Sequence, residues 1–355
     1  MQQSYSVGTI QKILEEARLS TDETLFIQSL LVRSDDNNEY TVTLGDEYQP
    51  ITQRQLREVG DQVILYSSES QPGEISTVIA DLYRMPTIIW LSILFVVIVI
   101  GVGKRKGVLS ILGMIASLLV LLKFIIPQIL LGANPILISL FGSLLIGSAT
   151  VYLSHGYNLK SHIALFSMMT SLAFVSVISY LAVVSASMFG LGSEEAAFLQ
   201  VGNTANINLQ GLLLGGIMLG ALGVLDDVTV SQVSIVFQLR AAKKTIKFQE
   251  LYNRALEVGR DHVASLVNTL VLAYAGANMP LFLLFTINES VPTWVTLNSE
   301  VIVEEVIRTL TGSMGLVLAV PLTTLIATTF AMKLKKDEVE VMGSIEPMEH
   351  KGHTH

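Results

Sequence analysis

Pro86-Thr-Ile-Ile-Trp-Leu-Ser-Ile-Leu-Phe-Val-Val-Ile-Val-Ile-Gly-Val-Gly103 contains no charged side chain, and Lys104-Arg105-Lys106 follows at once. An apolar run of this length is what a helix needs to cross a hydrocarbon core about 30 Å thick. A cationic triplet at its end is a membrane-interface signature. The pattern then repeats. From residue 86 to 154 the charged residues are Lys104, Arg105, Lys106 and Lys123 alone, so the region has no face to give to water.

Working outward, residues 86–103, 107–131, 135–154, 161–189, 209–239, 262–287 and 309–332 read as seven spans of an α-helical polytopic membrane bundle. Over the whole chain of 355 residues, 51% are hydrophobic and 15% charged, a balance that suits lipid on most sides. Several runs exceed a perpendicular crossing, which predicts tilt or breaks. The basic clusters fall at 104–106, at Arg240, Lys243, Lys244, Lys247, Arg254 and Arg260, and at Lys333, Lys335 and Lys336. Seven crossings put all three on one side, and the positive-inside rule makes that side cytoplasmic. Glu194, Glu195, Glu289, Glu300, Glu304 and Glu305 fall on the other.

Residues 1–84 read differently. Alternating or β-branched runs at Ser6–Leu14, Thr24–Arg33, Glu39–Leu44, Gln62–Ser67 and Glu74–Leu82 predict five strands, with Thr9–Ala17 open to a helical reading as well. Asp35-Asp36-Asn37-Asn38 and Val59-Gly60-Asp61 mark turns. These strands predict a small β-rich domain of OB or SH3-like barrel type, outside the cell by the same topology. Its export requires a leading signal or anchor, and Met1–Ser20 has no apolar core of that kind. A lost N-terminal anchor is therefore expected, with inverted topology as the alternative. Residues 335–355 are expected to form a disordered cytoplasmic tail. His350, His353 and His355 in it are read as a solvated end rather than a metal site.

The chemistry concentrates in the fifth span, around Gly220-Ala-Leu-Gly-Val-Leu-Asp226-Asp227-Val-Thr229-Val-Ser231-Gln232. On a helix Gly216, Gly220, Gly223, Asp227, Ser231, Ser234 and Gln238 recur at steps of three and four, which makes one face. Its glycine half predicts close approach of another backbone, and its other half is hydrogen-bonding. Asp226 points about 100° away from Asp227. A carboxylate in hydrocarbon costs at least about 2.5–3.5 kcal/mol, so such residues face a bundle interior and mark ion or substrate paths; a buried structural network is the competing reading. The sixth span supplies candidate partners in Arg260, Asp261, Asn268 and Thr269, with Arg260 equally readable as a topology anchor. His262 is read as interfacial. In Gly202-Asn203-Thr-Ala-Asn206-Ile-Asn208 the asparagines are expected to cap the fifth span. Pro321 predicts a kink in the seventh.

No Walker loop, dinucleotide fingerprint, His-Glu-x-x-His or Gly-x-Ser-x-Gly motif occurs. There are no cysteines, the net charge is −8, and no basic aromatic patch suits nucleic acid. No cofactor or metal is expected.

The Gly220–Gln232 stretch resembles the YibE/F-like family of bacterial multi-pass membrane proteins. So do Gly259-Arg-Asp-His-Val-Ala-Ser-Leu-Val-Asn-Thr-Leu270, Ala273-Tyr-Ala-Gly276, Glu304-Glu-Val-Ile-Arg-Thr-Leu-Thr-Gly312 and Ala319-Val-Pro321. The resemblance implies a cell-membrane protein, typically of Firmicutes, often paired with a shorter paralogue encoded beside it, and an additional hydrophobic segment at the N-terminus. It supplies no reaction. Three functions fit the residues: a secondary transporter or channel with a proton or cation site at Asp226 and Asp227, completed by Thr229, Ser231, Gln232, Asn268 and Thr269; a non-catalytic subunit acting with the paralogue or as a homo-oligomer; and an intramembrane aspartate-dependent hydrolase. Adjacent aspartates on one helix point apart, which disfavours the last.

Overall fold

The computed structural model describes residues 3–19, 22–46, 49–71, 74–201, 207–287 and 291–334. The tail with its histidines, the asparagine-rich residues 202–206 and Glu289 lie outside them. The chain divides into two compact units at Ile98–Val99.

In the first unit β1 (Gln3–Leu19), β2 (Asp22–Ser34), β3 (Glu39–Leu44), β4 (Ile51–Thr52), β5 (Gln62–Gln71) and β6 (Glu74–Leu82) form an antiparallel sheet. Its order is β3-β2-β1-β5-β6, with β4 on β2. All five expected strands are present. The alternation of Ile10, Leu30, Val32, Val42, Val63 and Leu65 puts these side chains in one core, as a period of two requires. The Thr9–Ala17 ambiguity resolves as strand, because β1 pairs along its length with β2 and, in its first half, with β5. At Gly8 a Cβ would meet Val32 Cγ1 at 2.7 Å, so glycine lets that core close. The β2–β3 turn has Asn37 at φ 62°, where asparagine is tolerated. Fully buried Gln28 clamps the following loop. Its Nε2 donates to the Arg57 carbonyl at 3.0 Å, and its Oε1 accepts from the Arg57 N–H at 2.9 Å. The end strands β3 and β6 approach one another, but no ladder joins them, so the hydrogen-bonded sheet stays open.

The remaining elements are helices. α1 (Met85–Val120) passes through a π turn (Leu121–Ile125) into α2 (Ile126–Leu130). Then come α3 (Pro135–His155), α4 (Leu159–Ser185), α5 (Glu194–Val201), α6 (Leu209–Ala242), α7 (Phe248–Ala277), α8 (Met279–Ile287), α9 (Thr293–Leu297) and α10 (Glu300–Lys333). Asn134, Asn158 and Asn208 cap α3, α4 and α6 with their side chains; Asn208 does so as expected, accepting from Gly211 N at 2.9 Å.

α1 is broken at Lys104 (φ 49°, ψ −128°), inside the basic triplet. A Cβ on Gly107 would strike the Val99 carbonyl. An unbroken helix separates those residues by about 12 Å along its axis, so the chain bends sharply back here. Among the described residues five helical stretches, rather than the seven expected, are long and apolar enough to cross a membrane: Met85–Leu130, Pro135–His155, Leu159–Ser185, Leu209–Ala242 and Glu300–Lys333. α7 falls short of that standard. It begins at Phe248, well before the expected residue 262, so much of the supposed basic loop is helix. α10 runs unbroken through Pro321.

α4, α6 and α10 pack on one another at the centre, with α3 on α6 and α7 on α10. Val175 of α4 fills the space beside Gly315 of α10. The helices are antiparallel, since Glu300 at the start of α10 binds residues just beyond the end of α4. Four-residue steps from that contact set Ser179 opposite Thr311, Ser171 opposite Ala319 and Ser167 opposite Thr323. All are buried, a small-residue seam of the kind that lets membrane helices approach closely.

Candidate functional site

Asp226 stands at the middle of α6, 17 residues from Leu209 and 16 from Ala242. With Leu219, Leu222 and Gly223 it occupies one helical face. That face borders a partly open cavity of about 270 Å³, lined also by Ser117, Leu118 and Leu121 of the α1 stretch and by Ile146 and Thr150 of α3. The Thr150 hydroxyl stands close enough to the Asp226 carboxyl to interact with it and has the Gly147 carbonyl at 3.3 Å. Ser117 Oγ donates to the Gly113 carbonyl at 2.9 Å. A Cβ at Gly223 would touch nothing within 4 Å, so this glycine keeps the cavity open.

Asp227 points elsewhere, as the 100° step requires. It is exposed, on the stripe of Gly216, Gly220, Gly223 and Ser231, which is exposed as well. This corrects one expectation. Among the described residues no backbone packs on that stripe: Gly216 and Gly223 face open space, and Gly220 meets the Tyr274 hydroxyl, 3.2 Å from where its Cβ would be. On α6 and α7 the glycines that let helices close are instead Gly211 and Gly215 against α3 and Gly259 against α6 and α10. Asp227 lies within electrostatic range of His155 at the end of α3, which also senses Lys106 and Lys160.

The other expected site residues divide. Ser231 and Asp261 do come together, lining with Ile235, Val258, His262 and Ser265 an open groove of about 470 Å³ between α6 and α7. Gln232 is structural. It is 2% exposed, and its Nε2 donates to the Ala255 carbonyl at 2.8 Å and to Thr324 Oγ1 at 2.7 Å, tying α6, α7 and α10 into one node. A Cβ at Gly259 would sit 2.5 Å from Val320 Cγ1 and 2.7 Å from Gln232 Oε1. Thr229 is fully buried and bonds its own helix at the Asp226 carbonyl, at 3.2 Å. Thr269 is exposed and donates to the Ser265 carbonyl at 3.0 Å. Arg260 and Asn268 are exposed, and among the described residues no hydrogen bond joins either to the carboxylates.

Sequence reasoning missed Thr150 and Ser117. Each is a hydroxyl in an apolar helix, and only the packing of α3 on α6, with the α1 stretch across the cavity, puts them on the same lining as Asp226. It also missed a polar cluster at the start of α10. Glu300 Oε1 accepts three backbone N–H groups, from Phe189 and Gly190 at 2.8 Å and Leu191 at 3.1 Å. Glu304, 8% exposed, pairs with Arg308 at 2.7 Å, and Glu305 accepts from Asn278 Nδ2 at 3.0 Å. The acidic residues of this loop had been legible only as a topology signal.

Comparison with curated proteins and with solved structures returned no match. The family model described as YibE/F-like protein matches residues 91–333, a range that takes in the broken first helix, the Asp226 cavity, the Gln232 node and the α10 cluster. The chain belongs to the YibE/F-like family.

Proposed function

We propose that this membrane protein is a secondary transporter or channel in which Asp226 is the proton- or cation-binding group. One observation carries the reading: an acidic side chain halfway along an apolar helix borders a cavity shared by three helices. A carboxylate there is expensive unless it is used. In this reading the bend at Lys104 makes two crossings of the α1 stretch and α7–α8 supplies one more, for seven in the bacterial plasma membrane. The β-rich domain is then outside and the tail inside. The hydrolase reading is set aside, because among the described residues no second carboxylate lines the cavity.

The test is ion flux into liposomes holding the purified chain alone. Flux that falls at least tenfold in Asp226→Asn and persists in Asp227→Asn supports the conduit; equal flux in all three proteins, or none, removes it. A second reading, a non-catalytic subunit working with a shorter paralogue or another copy, is favoured by the open stripe of Gly216, Gly220, Gly223, Asp227 and Ser231. A charge on an uncovered membrane helix calls for a covering partner. Inertness alone, relieved by adding the paralogue, supports it.

A further inference from the structure

We infer that the species held at Asp226 is a proton and that the site does not take a dehydrated metal cation; this rests on the same site as the conduit reading and narrows it. The argument is an inventory of oxygen atoms. A metal ion stripped of water needs several oxygen ligands; membrane proteins supply them from unwound backbone carbonyls and helix ends. Neither is present. α6 runs unbroken from Leu209 to Ala242 and α3 from Pro135 to His155, so the carbonyls near Asp226 and Thr150 are spent inside their helices. The π turn contributes only Leu121 to the cavity wall. What remains is one carboxylate and two hydroxyls in an otherwise apolar lining. A divalent ion would also find a single negative charge there, because Asp227 is turned to another face.

The same groups suit a carboxylic acid. Protonation of Asp226 forms one O–H bond, removes the only charge that lines the cavity among the described residues and creates one donor. Thr150 can change role: its one hydrogen serves the ionised carboxylate or turns to the Gly147 carbonyl 3.3 Å away, which leaves its lone pairs to accept from the new donor. Ser117 is arranged alike, donating to Gly113. The surrounding elements bring no competing charge into the cavity: α1 and α3 present hydroxyls and apolar groups, and the charged neighbour in range is Asp227 on α6 itself. Beyond it lie His155, Lys106 and Lys160.

The test is a pH titration of the full chain in lipid bilayers, followed by infrared difference spectroscopy of the protonated-carboxyl carbonyl stretch. The other Asp and Glu residues titrate as well, so the Asp226 band is the one expected to be missing from the spectra of Asp226→Asn and present in those of Asp227→Asn. Its midpoint is expected to stay put when sodium or potassium rises tenfold. A competing monovalent cation would lower the midpoint by about one pH unit per tenfold rise. That shift, or a set of titrating bands identical in Asp226→Asn and the unaltered chain, overturns the inference. The salt series uses the unaltered chain, so it decides even if the variant fails to fold. A cation-dependent midpoint leaves the conduit reading standing. A well-behaved proton band with no flux in liposomes removes the conduit and leaves the proton site.

Discussion

At Gly259 and Gly223 the same residue type does opposite work. Gly259 lets α7 lie against Gln232 and Val320, and any side chain there must push the helix away. Overpacking of this kind costs about 1–3 kcal/mol, so Gly259→Ala is expected to lower the thermal midpoint in detergent, whereas Gly223→Ala, with open space before it, leaves it unchanged. Gln232→Ala belongs with Gly259. It strips a partner from the buried Ala255 carbonyl and from Thr324, a loss of roughly 1–3 kcal/mol. The melting curve shows whether this residue, first read as part of an ion path, is a structural tie. Gly223→Leu separates site from scaffold: its side chain enters the cavity beside Asp226, so flux should fall while the melt stays near that of the unaltered protein.

At the scale of elements, legibility followed the range of the signal. Strand alternation, the apolar runs and the cap at Asn208 depend on neighbours in sequence, and they were readable. So was the break at Lys104, placed by the basic triplet. The Asp226 cavity was readable from one side only. The carboxylate is conspicuous in an apolar helix, but Thr150 and Ser117 gain meaning from tertiary packing, and the exposed glycine stripe was mistaken for a seam because periodicity identifies a face without identifying what covers it. The α10 cluster was opaque for the same reason, since Glu300 acts on backbone 109 to 111 residues away. Glu300→Gln should loosen that clasp, and the amides of Phe189, Gly190 and Leu191 should then exchange faster with deuterated solvent. A second element carries a pH response. The Lys243 ammonium, hydrogen-bonded to Glu250 at 2.8 Å, holds its carboxyl below the ordinary glutamate range, with Arg254 assisting. A folded value below the unfolded one stabilises fully above the ordinary range and is lost as pH falls through the lowered value. Amide protection across the α6–α7 turn should therefore drop on acidification below the usual glutamate range, and Glu250→Gln should flatten that dependence.

For the whole molecule the deciding quantity is topology, because the conduit reading needs Asp226 between two aqueous sides. The absence of cysteine makes each introduced thiol the sole reactive one. Val59 is 60% exposed in the β-rich unit, and Asn253 is exposed on α7 among the basic residues. If the basic segments face the cytoplasm, a membrane-impermeant maleimide labels Val59→Cys on intact cells and reaches Asn253→Cys only after the membrane is opened. A thiol at Leu131, 80% exposed beyond α2, decides the bend at Lys104. With one crossing on each side of that bend it is labelled from the same side as Val59→Cys; with a single crossing that ends at Lys104 it is labelled from the side opposite Val59→Cys, and Asn253→Cys, three crossings further on, then shares the side of Val59→Cys. The second outcome would put the chain between Lys104 and Leu131 through no bilayer at all. Asp226 would then share its cavity with a helix lying outside the membrane, and the case for a conduit through this site would end.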